Sequence, residues 1–85
     1  MTPRLRKTIR GTNILGSRVR LARSRALPQV TQSDLAARLS VLGIDCDRPT
    51  ISRIEAGKRY LRDYEIRAIA KALKVSVAWL FQEAE

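Results

Sequence analysis

The chain has 85 residues, a formal net charge of +9 at pH 7, one cysteine (Cys46) and no histidine. That length makes one small domain, and the residue set excludes an internal disulfide, a zinc-ligand set, a nucleophile–base pair and a phosphate-cradling glycine loop, so neither catalysis nor a cofactor or metal is expected. No apolar run approaches the ~20 residues of a membrane span and the N-terminus lacks a hydrophobic signal core, so a cytoplasmic protein without a membrane partner is expected.

Residues 1–14 are polar and basic, interrupted by Pro3 and Gly11, and read as a flexible basic arm ahead of a domain spanning 15–85. Eight cations and no acid precede Asp34, whereas the nine cations from there onward nearly balance eight acids. A one-sided excess of this kind suits a polyanion-binding surface. Residues 1–33 contain no aromatic on which a base could stack, which argues against a shape-independent RNA binder.

Leu15, Val19, Ala22 and Ala26 recur at helical spacing and predict a first helix from Gly16 or Ser17 to Leu27, stopped by Pro28. A second helix is predicted from Thr31 or Gln32 to Leu42. Thr31 supplies the N-cap, Asp34 completes an acidic capping box, and Leu35, Leu39 and Leu42 form the inner stripe. Gly43 suits a left-handed helix end. In the turn that follows, Ile44 is expected to plug into the core, with Cys46 as a small packing residue.

A third helix opens with Asp47 as N-cap and Pro49 in its first turn, and stops at Gly57. A fourth runs from Asp63 to Leu73, with Ile66, Ile69, Ala70 and Leu73 inward, and a fifth starts at the Ser76 cap and presents Val77, Leu80 and Phe81. No stretch alternates as a strand does. Trp79, Phe81, Tyr60 and Tyr64 are assigned to the core by default; any part of the 77–81 face left exposed is a candidate dimer patch.

The third helix carries the chemistry. At about 100° per residue, Ile51 and Ile54 lie about 60° apart and form a buried seam, which turns Pro49, Ser52, Arg53 and Ala56 outward with Arg48 on the N-terminal flank. An arginine grips guanine O6 and N7 through two hydrogen bonds, and a serine serves several base edges. Proline and alanine allow close apolar approach. Arg48, Ser52 and Arg53 are therefore the candidate base readers, with Pro49 as a shape contact.

The segments Gln32-x-x-Leu35-Ala36, Gly43 and Ile51-Ser52-Arg53-Ile54-Glu55-x-Gly57-Lys58-Arg59 resemble the Cro/phage-repressor-like (XRE-type) helix-turn-helix DNA-binding family. The resemblance runs from about Gly16 to Phe81 and is strongest at Ile51-Ser52-x-Ile54-Glu55-x-Gly57. It implies an all-α, compact five-helix, lambda-repressor-like fold behind the basic arm. By the same resemblance Gln32 stands where relatives touch backbone phosphate, and Lys58 and Arg59 look like phosphate clamps. Glu55 is implied to pair with an arginine of helix 1 and to be structural. Arg23, beside the inner stripe, is the chosen partner, although the segment from Arg23 to Gln32 is longer than usual and alignment alone leaves Arg25 open. The stretch from Ala36 to Ile51 is also about five residues longer than in compact members, split between a longer helix 2 and a longer turn.

These features lead to a sequence-specific double-stranded DNA-binding transcriptional regulator, homodimeric on DNA and reading the major groove with residues 47–56. The alternative is a protein-binding module, such as an antitoxin that neutralises a toxin partner, with DNA binding secondary.

Overall fold

Caps and apolar spacing together set five helices in the computed structural model, which describes residues 13–82: α1 (Gly16–Arg25), α2 (Gln32–Val41), α3 (Arg48–Glu55), α4 (Asp63–Leu73) and α5 (Val77–Leu80). Residues 1–12 of the expected arm lie outside the described residues. No strand occurs among those described, and none of their helices is long and apolar enough to cross a membrane.

One core joins all five helices. Leu15 and Val19 enter it from the α1 end, Leu35 and Leu39 from α2, Ile51 and Ile54 from α3, Ile69 and Leu73 from α4, and Leu80 from α5; Val30 fills it from the α1–α2 loop. The two amphipathic helices α2 and α3 pack on each other, α1 backs α3, and α4 lies against α2 and α1. Side-chain burial of this kind is what holds helices too short to be stable alone.

The α2 start is a reciprocal capping box. The Asp34 N–H donates to Thr31 Oγ1 and the Thr31 N–H donates to Asp34 Oδ2, both at 3.0 Å. These bonds hold the Asp34 carboxyl below its ordinary range, led by the Thr31 backbone donor. At the other end Gly43 adopts φ +90, where a side chain is strained, and the Ile44 N–H reaches back to the Leu39 carbonyl at 2.8 Å. That reversal tucks Ile44 against the core.

Four expectations shift at element ends. α1 stops at Arg25 rather than Leu27: Ala26 is already extended, and the residue before Pro28 is disfavoured from helical backbone. Leu42 is not an inner-stripe residue. It is the C-cap of α2 and faces partly outward, while Ala36 takes the buried position. Ile66 is only half-buried, and its neighbour Glu65 is buried in its place. Phe81 caps α5 and stays exposed with Val77, because a four-residue helix turns only Leu80 fully inward; Tyr60, in the loop after α3, and Tyr64, at the start of α4, are exposed as well.

Trp79 is half-buried and is held by Arg18 across the face of its ring. The Arg18 guanidinium lies 3.7 Å from its ring centroid, Arg18 Nε donates to the Trp79 carbonyl at 3.1 Å, and Nη2 donates to Gln82 Oε1 at 2.9 Å. This cation–π and hydrogen-bond set ties α5 to α1.

Candidate nucleic-acid interface

α3 is short and depends on its ends. Asp47 Oδ1 accepts the Thr50 N–H at 3.0 Å and the Thr50 hydroxyl at 2.7 Å, a cap that keeps the Asp47 carboxyl below its usual range, the hydroxyl bond contributing most. Pro49 sits in the first turn, where no intrahelical N–H is needed. The C-terminal end closes with Gly57 at φ +76 and the Lys58 N–H donating to the Arg53 carbonyl at 2.9 Å. Within this frame Ile51 and Ile54 are buried, and Arg48, Pro49, Ser52, Arg53 and Ala56 are exposed.

Three contacts hold α3 from behind. The first is steric: a Cβ on Gly16 would stand 2.5 Å from the backbone carbonyl oxygens of both Ile54 and Glu55. Only glycine lets the start of α1 meet the end of α3. The second is Asn13, whose Nδ2 donates to the Ile54 carbonyl at 3.1 Å and the Arg59 carbonyl at 2.8 Å, while its Oδ1 accepts the Leu15 N–H at 2.9 Å. Assigned to the arm from sequence, Asn13 is half-buried and stitched to the folded body.

The third contact is ionic. Arg23 Nε and Nη2 donate to Glu55 Oε2 and Oε1 at 2.6 and 2.9 Å, a two-pronged pairing, and Arg23 Nη1 donates to the Val30 carbonyl at 3.0 Å. The Glu55 hydrogen bond raises the Arg23 pKa still further. Gln32 Nε2 adds a third donor to Glu55 at 3.0 Å, and Gln32 Oε1 accepts from Arg48 Nη1 at 3.3 Å. A hydrogen-bonded chain thus runs from Arg48 on the outer face, through Gln32, to the buried pair. Arg25 is exposed and is not part of it.

The helix-turn-helix domain family matches residues 14–80, which includes all of α1 to α5. The chain belongs to this family. Comparisons with curated proteins and with solved structures give no match.

In this helix-turn-helix domain α2 and α3 are the two helices of the motif, and DNA is the partner that such a domain is built to bind. The longer turn between them, residues 42–47, keeps both caps intact. The surface presents Arg48, Pro49, Ser52 and Arg53 along one exposed side of α3, with Lys58 exposed just past its exit.

Arg59 and Gln32 lie differently from the other expected DNA contacts. Arg59 is half-buried, and its Nη1 and Nη2 donate to Glu65 Oε1 and Oε2 at 3.0 and 3.3 Å. Burial pushes the Glu65 carboxyl up, but Arg59 and the Arg62 N–H outweigh it and hold the pKa below the ordinary value. The Arg59 guanidinium is therefore occupied inside the helix-turn-helix domain, locking the loop after α3 to the start of α4. Gln32 likewise points its side chain at Glu55 and Arg48.

Sequence reading passed over Glu65, Asn13 and Gly16. A signal existed for Glu65, which falls three residues after Arg62 in the first turn of a predicted helix, where a carboxylate turns back to the cap N–H. Asn13 and Gly16 act on residues about forty positions away, and no local pattern announces that. Among the described residues no group of His, Cys, Asp and Glu could hold a metal ion. Burial pushes the Cys46 thiol up in pKa, which disfavours the thiolate.

Proposed function

We propose that this protein is a cytoplasmic, sequence-specific double-stranded DNA-binding transcriptional regulator that inserts α3 into the major groove. The observation that carries this reading is the exposed row of Arg48, Pro49, Ser52 and Arg53 on a helix whose other side is buried and pinned at both ends. Arg48 and Arg53 suit guanine edges, Ser52 can donate or accept, and Pro49 and Ala56 let the helix approach closely. Lys58 then lies on the phosphate side of the α3 exit. Gln32 opens α2, where a helix N-terminus favours phosphate.

One α3 covers only a few base pairs. Two copies on a pseudo-palindrome, with half-sites about 10 bp apart or a multiple of that, supply the missing specificity. Selection of bound duplexes from a random pool at a stated salt concentration tests the reading. The selected site should beat random duplex by at least ~10³ at moderate salt, with a footprint spanning two half-sites. Equal affinity for every duplex would refute sequence reading, and a footprint over one asymmetric half-site would refute the dimer.

A further inference from the structure

The last turns of α2 and α4 meet through Arg38, whose Nη1 donates to the Ala72 carbonyl at 2.9 Å. Arg38 stays exposed, so the rest of its guanidinium faces solvent. On α4, Arg67, Lys71 and Lys74 recur at helical spacing and share its outer side. None of the three makes a side-chain hydrogen bond or ion pair with a described residue. No nearby acid offsets them. Glu65 is the last acid among the described residues and is buried against Arg59, while Asp34 of α2 is taken up by the Thr31 cap. One turn past Arg38 stand Val41, 87% exposed, and Leu42, which faces partly outward. Lys74 closes α4 in left-handed backbone at φ 59, a conformation in which glycine carries no strain.

We propose that this face binds an acidic segment of a partner protein that also carries leucine-type side chains. Three unpaired cations and the outward part of a fourth attract carboxylates, and Val41 with Leu42 adds apolar surface that a bare polyanion cannot use. An amphipathic acidic helix meets both demands, with its carboxylates on the α4 cations and its apolar side chains on the end of α2. A duplex fits the face less well, because a phosphate backbone gains nothing from an exposed valine. The face also lies apart from the α3 exit. Arg59 and Glu65 clasp the loop after α3 to the first turn of α4, and from there α4 runs about 16 Å to Leu73. Lys71 and Lys74 stand at its remote end, open while α3 lies in a groove. A cation that balances the helix dipole accounts for Lys71 or Lys74 alone, but not for Arg67, Arg38 and the bare valine beside them. The proposal goes beyond the DNA-binding reading and does not depend on it.

The test titrates the isotope-labelled full chain with two synthetic glutamate-rich peptides of about four helical turns, followed by amide chemical shifts. The two carry equal charge; one has leucine at every third or fourth position and the other has serine there. The leucine peptide should shift the amides of residues 38–42 and 67–75, and should bind more tightly than the serine peptide by on the order of tenfold. Val41→Ser should erase that preference. Lys71→Gln combined with Lys74→Gly should weaken both peptides by on the order of tenfold at low salt. Its melting temperature should stay close to the parent's, since no side-chain bond is lost and glycine suits the left-handed position. Arg25→Gln removes an exposed cation of α1 and should leave both affinities within about twofold. Equal affinity for the two peptides, or shifts scattered over every exposed cation, would reduce the face to general positive charge and overturn the proposal. Displacement of the leucine peptide from these residues by duplex would make the face a nucleic-acid surface, and anionic vesicles shifting the same amides while neither peptide does would make it a lipid surface; either result overturns the proposal. A parent that binds no duplex yet binds the leucine peptide here would remove the DNA reading and leave this one standing.

Discussion

Replacing Glu55 with alanine tests how α3 is held. The substitution removes three hydrogen bonds to a carboxylate that is 5% exposed, and leaves Arg23, 14% exposed, with the Val30 carbonyl as its remaining partner. Breaking a buried pair by removing one member costs about 3–5 kcal/mol. The open cleft beside Arg23 admits water to the orphaned guanidinium, which puts the loss at the lower end, about 3 kcal/mol. A chain of 85 residues has roughly 4–13 kcal/mol in total, so a large part of the stability goes. The melting temperature should fall by about 12–24 °C. Arg23→Ala should cost a similar amount, and the double variant less than the sum, with a coupling on the order of 1–3 kcal/mol. Thermal and urea unfolding of the four proteins, followed by circular dichroism, measures each corner of that cycle. Additive single losses would break the argument for a coupled pair, and a Glu55→Ala protein within about 0.5 kcal/mol of the parent would show that the carboxylate does not brace α3.

Other outcomes follow from the same geometry. Arg48→Ala and Arg53→Ala should each cost about 1–3 kcal/mol on the selected duplex and blur one base position, whereas Lys58→Ala should weaken all duplexes alike; titrations on matched and mismatched sites separate the two behaviours. Arg59→Ala should instead lower the melting temperature, since it takes two charged donors from the buried Glu65 and leaves it the Arg62 N–H and a longer Arg62 ion pair, and its residual DNA-binding defect should follow the folded fraction. Gly16→Ala should destabilise by about 1–3 kcal/mol through its collision with the Ile54 and Glu55 carbonyls, despite alanine's better helix propensity, and a more stable variant in urea unfolding would refute the close approach. Asp34, Asp47 and Glu65 all have carboxyls held below their ordinary pKa, so their contribution is complete above about pH 4 and drains as pH falls through their lower folded values; Asp47→Asn keeps a capping side chain and should reduce the acid sensitivity seen in melts at stepped pH.

What could be read from sequence divides by the range of the interaction. The starts of α2, α3 and α5 were legible because their caps are short-range devices: Thr31 with Asp34, Asp47 with Thr50 and Ser76 with the Trp79 N–H all close within three residues. The Ile51/Ile54 seam was legible because helical geometry leaves no other way to bury both. Helix ends were less so. Leu42 continues the apolar spacing of α2, yet the chain reverses at Gly43, so Leu42 faces partly outward while Ile44 packs half-buried against the core. At the candidate site the exposed row of α3 follows from its seam, and Arg23 and Glu55 stand together in the structure. The side-chain direction of Arg59 was not legible. Next to Lys58 it looks like a second surface cation, and only the fold brings Glu65 within 3.0 Å.

On the proposed reading, the arrangement separates stability from recognition along one short helix. Everything that fixes α3 touches its buried side, its ends or its backbone: the two isoleucines, the Asp47 cap, Asn13, Gly16 and Glu55 with Arg23. Arg48, Pro49, Ser52 and Arg53 carry almost none of that work, since among described residues their side chains reach inward only through the long Arg48–Gln32 hydrogen bond. A helix held this way loses little further freedom on entering a groove, so more of each base contact remains as binding free energy. The cost is that eight residues have no stability of their own, and each brace must be present. Arg48 is where the two systems meet. If Arg48 reads a base edge as proposed, giving up its bond to Gln32 would leave the separate Gln32–Glu55 bond and the pair that braces α3 in place.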